Sequence, residues 1–187
     1  WAATDFEGTV TVDAASLGWF SKPTIVGIEA RDEHDRPLME IPSVSGSRTL
    51  VEILRDTSSL GSIRVARPKI TVEIDEEGNT NLEKALAKDL TAAGEPYGPV
   101  DLEVKIIDGE VSIADAQSGQ AWEVDKLQLD LKVPAATSEA IILKTSGEIV
   151  DADTPGRFSV AIKLSQAASG KPASAVAGGA GSDELKL

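Results

Sequence analysis

Strict alternation of apolar and polar residues is the feature that most constrains the fold of this chain. Residues 69–75 place Ile70, Val72 and Ile74 at every second position, with polar side chains between them. A period of two sends successive side chains to opposite faces of a β-strand. The same alternation, or a shorter version of it, occurs in residues 8–13, 23–32, 62–66, 101–106, 126–133, 141–150 and 158–164. The sequence therefore predicts a mainly β protein whose sheet has one solvated and one covered face.

Turn-forming residues separate the alternating segments. Asp108 and Gly109 form a dipeptide typical of a tight hairpin, and Ser118-Gly119 and residues 154–156 mark further reversals. Because hairpins join antiparallel neighbours, these signals predict an antiparallel sheet.

Two short α-helices interrupt this pattern. Thr49 precedes Glu52 and Thr80 precedes Glu83 by three residues, which is the spacing of a capping box at a helix start. Each predicted helix has one apolar face, formed by Leu50, Ile53 and Leu54 in the first and by Leu82, Ala85 and Leu86 in the second.

Residues 74–86, with the sequence IDEEGNTNLEKAL, resemble a calcium loop because they are rich in acidic and amide side chains. A helix-loop-helix calcium site needs glycine at its sixth position and glutamate at its twelfth. Counting from Asp75, glycine stands at the fourth position and Leu86 at the twelfth. The stretch is instead predicted to be a strand end, a turn at Gly78 and a helix start.

Charge and cysteine content exclude several functions. With 31 acidic and 18 basic residues the net charge is -13, so a nucleic-acid partner is disfavoured by repulsion from phosphates. The chain has no cysteine, which removes disulfides, thiolate nucleophiles and zinc-thiolate sites. No apolar run approaches the ~18 residues of a membrane span.

Composition predicts one β domain over residues 1–165. Residues 166–182 are dominated by alanine, glycine and serine, as in a linker, and residues 183–187 are predicted to begin a following element. The first residue is Trp1 rather than methionine, which favours a fragment or a processed product.

Candidate catalytic residues do not form a recognisable constellation. The one histidine, His34, lies in residues 32–37, which are typical of a solvated hairpin tip. Two of the many acids could converge as in a glycoside hydrolase, with Trp19 or Trp122 stacking on a sugar, although each tryptophan is predicted to pack at a sheet border. We expect no enzyme activity and no cofactor or metal.

The apolar face of the predicted sheet must be covered. Some dozen aliphatic side chains share it, and burying each contributes about 1.5 to 3 kcal/mol, which exceeds a typical domain stability of ~5 to 15 kcal/mol when summed. The face could close on itself as a sandwich or barrel, curl into a groove, or meet an apolar partner. Aromatic content of 4% is low for a sandwich core.

The order of these features resembles the AsmA family of envelope proteins from about residue 8 to residue 164. The residues that carry the resemblance are Leu17-Gly-Trp19, residues 24–32, 38–41, 49–54 and 61–68, the turn Gly78-Asn-Thr-Asn-Leu82, and residues 104–131 with the phrases at 108–115 and 122–129.

This resemblance implies a curved, taco-like antiparallel sheet whose inner apolar groove holds phospholipid acyl chains. It further implies a non-enzymatic role in lipid transport between membranes or in outer-membrane assembly, a periplasmic location, an inner-membrane anchor outside this sequence, and envelope protein partners. The inward, lipid-contacting residues are then Ile70, Val72, Ile74, Leu102, Val104, Ile106, Leu127, Leu129, Leu131 and Phe158. The alternative is a closed, β-sandwich-like scaffold or adhesion module that binds protein partners through its edge strands.

Overall fold

The computed structural model describes residues 8–84, 100–136, 139–150 and 155–165. Its elements are β1 (Gly8–Ser16), β2 (Thr24–Asp32), β3 (Pro37–Gly46), α1 (Leu50–Arg55), β4 (Ser59–Ala66), β5 (Lys69–Ile74), β6 (Asp101–Asp115), β7 (Gln120–Val133), β8 (Ala140–Val150) and β9 (Gly156–Ser165). A second helix, α2, begins at Asn81 and is described as far as Lys84. The predicted linker at 166–182 and the segment 183–187 lie outside the described residues.

The nine strands form one curved sheet, so the predicted mainly β fold with short helices is confirmed. The strand order is β1-β2-β3-β4-β6-β7-β8-β9, and β5 continues the line of β4 by pairing with β3 and β6. Seven of the strand pairs are antiparallel, as predicted. The exceptions are β4 and β5, which both pair with β6 in parallel. The reason is that β6 starts beside the start of β4, where Asp101 N–H donates to Ser58 O at 2.7 Å.

The predicted hairpin at Asp108 and Gly109 is wrong. Both residues lie inside β6, which runs through them to a turn at 116–119. Asp108 has φ 58°, and the pairing with β7 shifts register on either side of Gly109, so the dipeptide forms a β-bulge. The prediction failed because a tight hairpin and a bulge both place a residue in the left-handed region, where Asp and Gly are favoured.

This bulge belongs to a seam that crosses the sheet. Left-handed residues occur at Gly27 in β2, Arg67 between β4 and β5, Asp108 in β6 and Lys126 in β7, and the registers place them in one transverse line. The strands change alternation as they cross this seam. In β6 the even-numbered Ile106 and the odd-numbered Val111 therefore share one face. This follows because the β7 residues that pair with them are themselves paired with residues on one side of β8.

Local sequence explains the turns and helix starts. The Thr49 side chain accepts from Glu52 N–H while Glu52 accepts from Thr49 N–H, and Thr80 and Glu83 make the same reciprocal bonds. Both predicted capping boxes are confirmed. Gly78 has φ 86° in the predicted turn. Residues 33–36 form the predicted tip between β2 and β3, with the His34 side chain exposed.

A cluster of buried apolar residues lies where α2 begins. Ala30 and Leu38 are buried, and Met39 and Leu82 pack against them. Asn81 is buried beside them and bridges the free edge of β5: its side chain accepts from Glu73 N–H at 3.0 Å and donates to Thr71 O at 3.0 Å. The predicted apolar positions Ala85 and Leu86 of α2 lie outside the described residues.

The strands end at two contrasting sets of loops. One end, which we call the acidic end, is closed by residues 33–36, 75–79 and 116–119. The other, the aromatic end, carries the β1–β2 loop at residues 17–23 and helix α1.

Candidate functional site

One face of the sheet carries all ten residues predicted to contact lipid, and we call it the apolar face. Residues paired across neighbouring strands share a face. One such row consists of Val65, Ile106, Leu129, Thr145 and Val160. The registers connect all ten residues to rows of this kind: Ile70, Val72, Ile74, Leu102, Val104, Ile106, Leu127, Leu129, Leu131 and Phe158. Contact with lipid itself stays a prediction.

The apolar face is partly exposed. Each of the ten residues is partly accessible to solvent, and none is buried. At its β9 border, Val160 is 42% exposed and Leu164 is 38% exposed. Among the described residues, the buried apolar side chains include Ala30 and Leu38 near α2, and Ala30 pairs with Met39, which pairs with Ile70 at the border of this face. Covering the face would therefore release more apolar surface from water.

The shape of the face includes a fitted aromatic ring. Gly147 in β8 pairs with Phe158 in β9, and a Cβ at Gly147 would lie 2.9 Å from the Phe158 ring and 3.1 Å from Val124. The ring therefore lies across the glycine, where any larger side chain would displace it. Phe158 contributes a flat surface to a face made largely of aliphatic side chains.

Charged side chains lie on the opposite face. Glu148 accepts from Lys126 at 2.8 Å and lies 3.0 Å from Arg157, and Glu103 pairs with Lys132 at 3.1 Å. The hydrogen bonds from Lys126 and Lys132 lower the pKa values of Glu148 and Glu103 respectively, against the opposing effect of partial burial. These exposed pairs keep the face ionised and solvated, and each adds little stability.

A cavity of about 550 Å³, lined by many charged residues, lies at the acidic end. Several of its charged side chains are already paired: Arg36 lies 2.7 Å from Asp32 and 2.6 Å from Glu73, and Lys84 lies 2.6 Å from Asp75. The hydrogen bond from Lys84 lowers the pKa of Asp75 to about 2, with further bonds from Asn79. Asp75 is therefore a carboxylate at neutral pH and has no proton to donate as a general acid.

The carboxylate at the hairpin tip of this end is likewise hydrogen-bonded within the protein. Burial raises the pKa of Asp32, but hydrogen bonds from the backbone and side chain of Arg36 and from His34 N–H outweigh it, so the net shift is downward. The described residues contain no group of three side chains able to hold a metal ion. The ion pairs that line the cavity thus help to hold the turns at this end.

The two tryptophans considered for sugar stacking lie far apart in the topology. Trp122 is in β7, opposite Ile113 on the apolar face near the acidic end. Trp19 lies in the loop after β1, at the aromatic end. Trp19 does stand at a sheet border as predicted, but its residue is 59% exposed rather than packed.

Sequence reasoning missed Phe20 beside Trp19, and it used Leu17 only as part of the family resemblance. Phe20 is 87% exposed and Leu17 is 59% exposed. The available signal was a run of large apolar residues that does not alternate and is flanked by Gly18, Ser21 and Pro23, all typical of a loop.

Comparison with known proteins adds no relative. A scan of the sequence against protein-family models finds no match, and a search of curated proteins finds no similar sequence. Within the described ranges, no helix has the length and hydropathy needed to cross a bilayer.

Proposed function

We propose that this chain is a non-enzymatic envelope module that holds phospholipid acyl chains along its apolar face. In this role it supports lipid transport between membranes or outer-membrane assembly. The resemblance to the AsmA family supplies the setting, which is a periplasmic protein anchored in the inner membrane by a segment outside this sequence. The observation that carries the proposal is the partly exposed, largely aliphatic face itself.

The chemistry of the face suits hydrocarbon. Its central rows consist of valine, leucine and isoleucine, with Thr145 as a hydroxyl among them. Such a surface offers contact without directed hydrogen bonds, so chains of differing length and unsaturation can occupy it. The charged face opposite keeps the module soluble while the apolar face is filled.

The dimensions also suit an acyl chain. Strand β6 has 15 residues, which at ~3.3 Å per residue span roughly 50 Å. The hydrocarbon core of a whole bilayer is about 30 Å thick, so one leaflet's chains need about half of that. The apolar face is therefore longer than a single acyl chain and could hold it at more than one position.

A charge placed on the apolar face tests the proposal. Protein purified gently from cells is analysed by native mass spectrometry and lipid extraction, as wild type and as Leu129→Glu. We expect bound phospholipid in the wild type and its loss in Leu129→Glu, since a carboxylate is strongly disfavoured against hydrocarbon.

A matched control lies one residue away. Gln128 is on the same strand but faces the charged side, where it pairs with Ser146. Gln128→Glu adds the same charge and should keep its lipid. A folded Leu129→Glu variant, judged by circular dichroism, that binds as much lipid as the wild type contradicts the proposal.

The second candidate is a scaffold that binds protein partners through an edge strand. Strand β1 favours it, since every residue from Gly8 to Ser16 is exposed and its outer backbone groups face away from β2. The described strands form one sheet, so this version needs no closed sandwich. A lipid-free wild type that stays a compact monomer would favour this scaffold over the lipid-binding module.

A further inference from the structure

The β1–β2 loop presents large apolar side chains to solvent at the aromatic end. Leu17, Trp19 and Phe20 are 59%, 59% and 87% exposed. Aromatic side chains bury about 150–250 Å² each when they find a partner, so leaving two of them in water is costly. Isolated exposed apolar residues are common, but three within four positions on one loop form a patch.

The loop is fixed against helix α1 rather than free. Val51 N–H donates to Trp19 O at 3.2 Å, and Gly46 N–H donates to Pro23 O at 2.9 Å. Leu54, one turn further along α1, is 64% exposed. We call Leu17, Trp19, Phe20 and Leu54 the aromatic patch.

The charges beside the patch differ from those of the whole chain. Lys22 on the loop and Arg55 on α1 are both exposed. The carboxylate of Glu52 is occupied by the capping box, where bonds from Thr49 lower its pKa. In a chain with a net charge of -13, this end therefore presents two exposed cations on the same loop and helix as the aromatic patch. Tryptophan, phenylalanine and nearby basic residues are the composition of membrane–water interfaces.

The area of the patch also favours a bilayer over a protein partner. A specific protein interface takes about 800 Å² from each side. Two aromatic and two leucine side chains supply less than that, whereas insertion into a bilayer has no minimum area. The patch suits insertion among lipid headgroups.

We propose that the aromatic patch docks this end of the sheet onto a phospholipid bilayer, with Trp19 and Phe20 inserted and Lys22 and Arg55 beside the phosphates. The inference rests on the proposed function, which supplies the reason for docking to a bilayer. The row of Leu102, Val133, Ile141 and Leu164 ends the apolar face on this same side. A lipid leaving the docked bilayer would reach the apolar face at this row.

Vesicle flotation and tryptophan fluorescence test the proposal on the full chain. A variant with Trp1→Phe and Trp122→Phe leaves Trp19 as the sole tryptophan. With phosphatidylcholine vesicles doped with phosphatidylglycerol, we expect flotation, a blue shift of Trp19 emission, and quenching by brominated acyl chains. Replacing Trp19→Ser and Phe20→Ser in the otherwise unchanged protein should lower vesicle partitioning at least about tenfold.

Edge-strand substitutions supply the control. Val10 and Val12 are 54% and 47% exposed on β1, so Val10→Ser with Val12→Ser removes exposed apolar surface at a different place in the fold. This control should float as the wild type does. Absence of wild-type flotation, equal loss in the control, or burial of Trp19 through concentration-dependent self-association would each overturn the docking proposal.

The Leu129→Glu variant separates this inference from the proposed function. It alters the apolar face but not the patch, so it should lose copurified lipid and still float with vesicles. A wild type that copurifies with lipid but does not float would refute docking and leave lipid binding in place. A wild type that floats but carries no lipid would refute lipid binding alone.

Discussion

At the acidic end the carboxylates of Asp32, Asp75 and Asp115 each accept several hydrogen bonds, whereas at the aromatic end Trp19 and Phe20 stand more than half exposed. At the acidic end these carboxylates are satisfied by hydrogen bonds from other groups of the protein. The aromatic end leaves apolar surface without a partner among the described residues. This difference teaches where to look for function, because a side chain already satisfied inside the protein offers little to a ligand.

Truncating one large side chain at each end should give the largest difference in the free energy of unfolding between the two ends. Leu38 is 1% exposed in the cluster beside the acidic end, so Leu38→Ala should lower the free energy of unfolding by about 2 to 5 kcal/mol. Phe20→Ala should change it by no more than about 0.5 kcal/mol. Urea denaturation followed by circular dichroism measures both. Equal losses would show that Phe20 is a core residue and would remove the contrast between the ends.

The two capping boxes should contribute equally to the stability of the two ends. Thr49→Ala at the aromatic end and Thr80→Ala at the acidic end each remove one side-chain acceptor from a helix start, and each should cost about 1 kcal/mol. Thr57→Ala, at an exposed position after α1, is the control and should be neutral. A much larger loss for Thr80→Ala would show that the acidic end depends on α2 beyond its cap.

The smallest effect concerns the titration of Asp75. Its pKa of about 2 lies below the usual ~3.9, so the stabilisation from its bonds is complete above the usual value and is lost as pH falls towards 2. Lys84→Met should raise the pKa of Asp75 towards ~3.9, as measured by carboxyl-carbon NMR. Lys126→Met removes a lysine on β7 and should leave the pKa of Asp75 unchanged. A low pKa in both variants would mean that the Asn79 bonds suffice.

Much of this fold could be predicted because alternation and turn chemistry are local. The strands around Val72 and Leu129, both capping boxes and the Gly78 turn follow from a few neighbouring residues. The parallel pairing of β4 and β5 with β6 could not be predicted, since it depends on where a distant segment returns. The reading of Asp108-Gly109 failed because a hairpin and a bulge require the same backbone conformation there.

The candidate site was predictable in part for the same reason. Period-two reasoning found the ten residues that share the apolar face, although it assumed an unbroken phase in each strand. Trp19 was noticed, but its exposure was not, because exposure depends on what packs against the loop. Neither lipid binding nor membrane docking can be read from a pattern that an ordinary aliphatic core would also produce.

The seam has a consequence for how the chain finds one arrangement. In a plain sheet, a strand that slides by two residues keeps its apolar side chains on the correct face, so the mistake costs little. Here such a slide would carry the bulge at Asp108 out of line with the left-handed residues Arg67 and Lys126. Backbone N–H and C=O groups beside the misplaced bulge would then lose their partners in the neighbouring strands. The seam thus penalises an error of register that a plain sheet would tolerate.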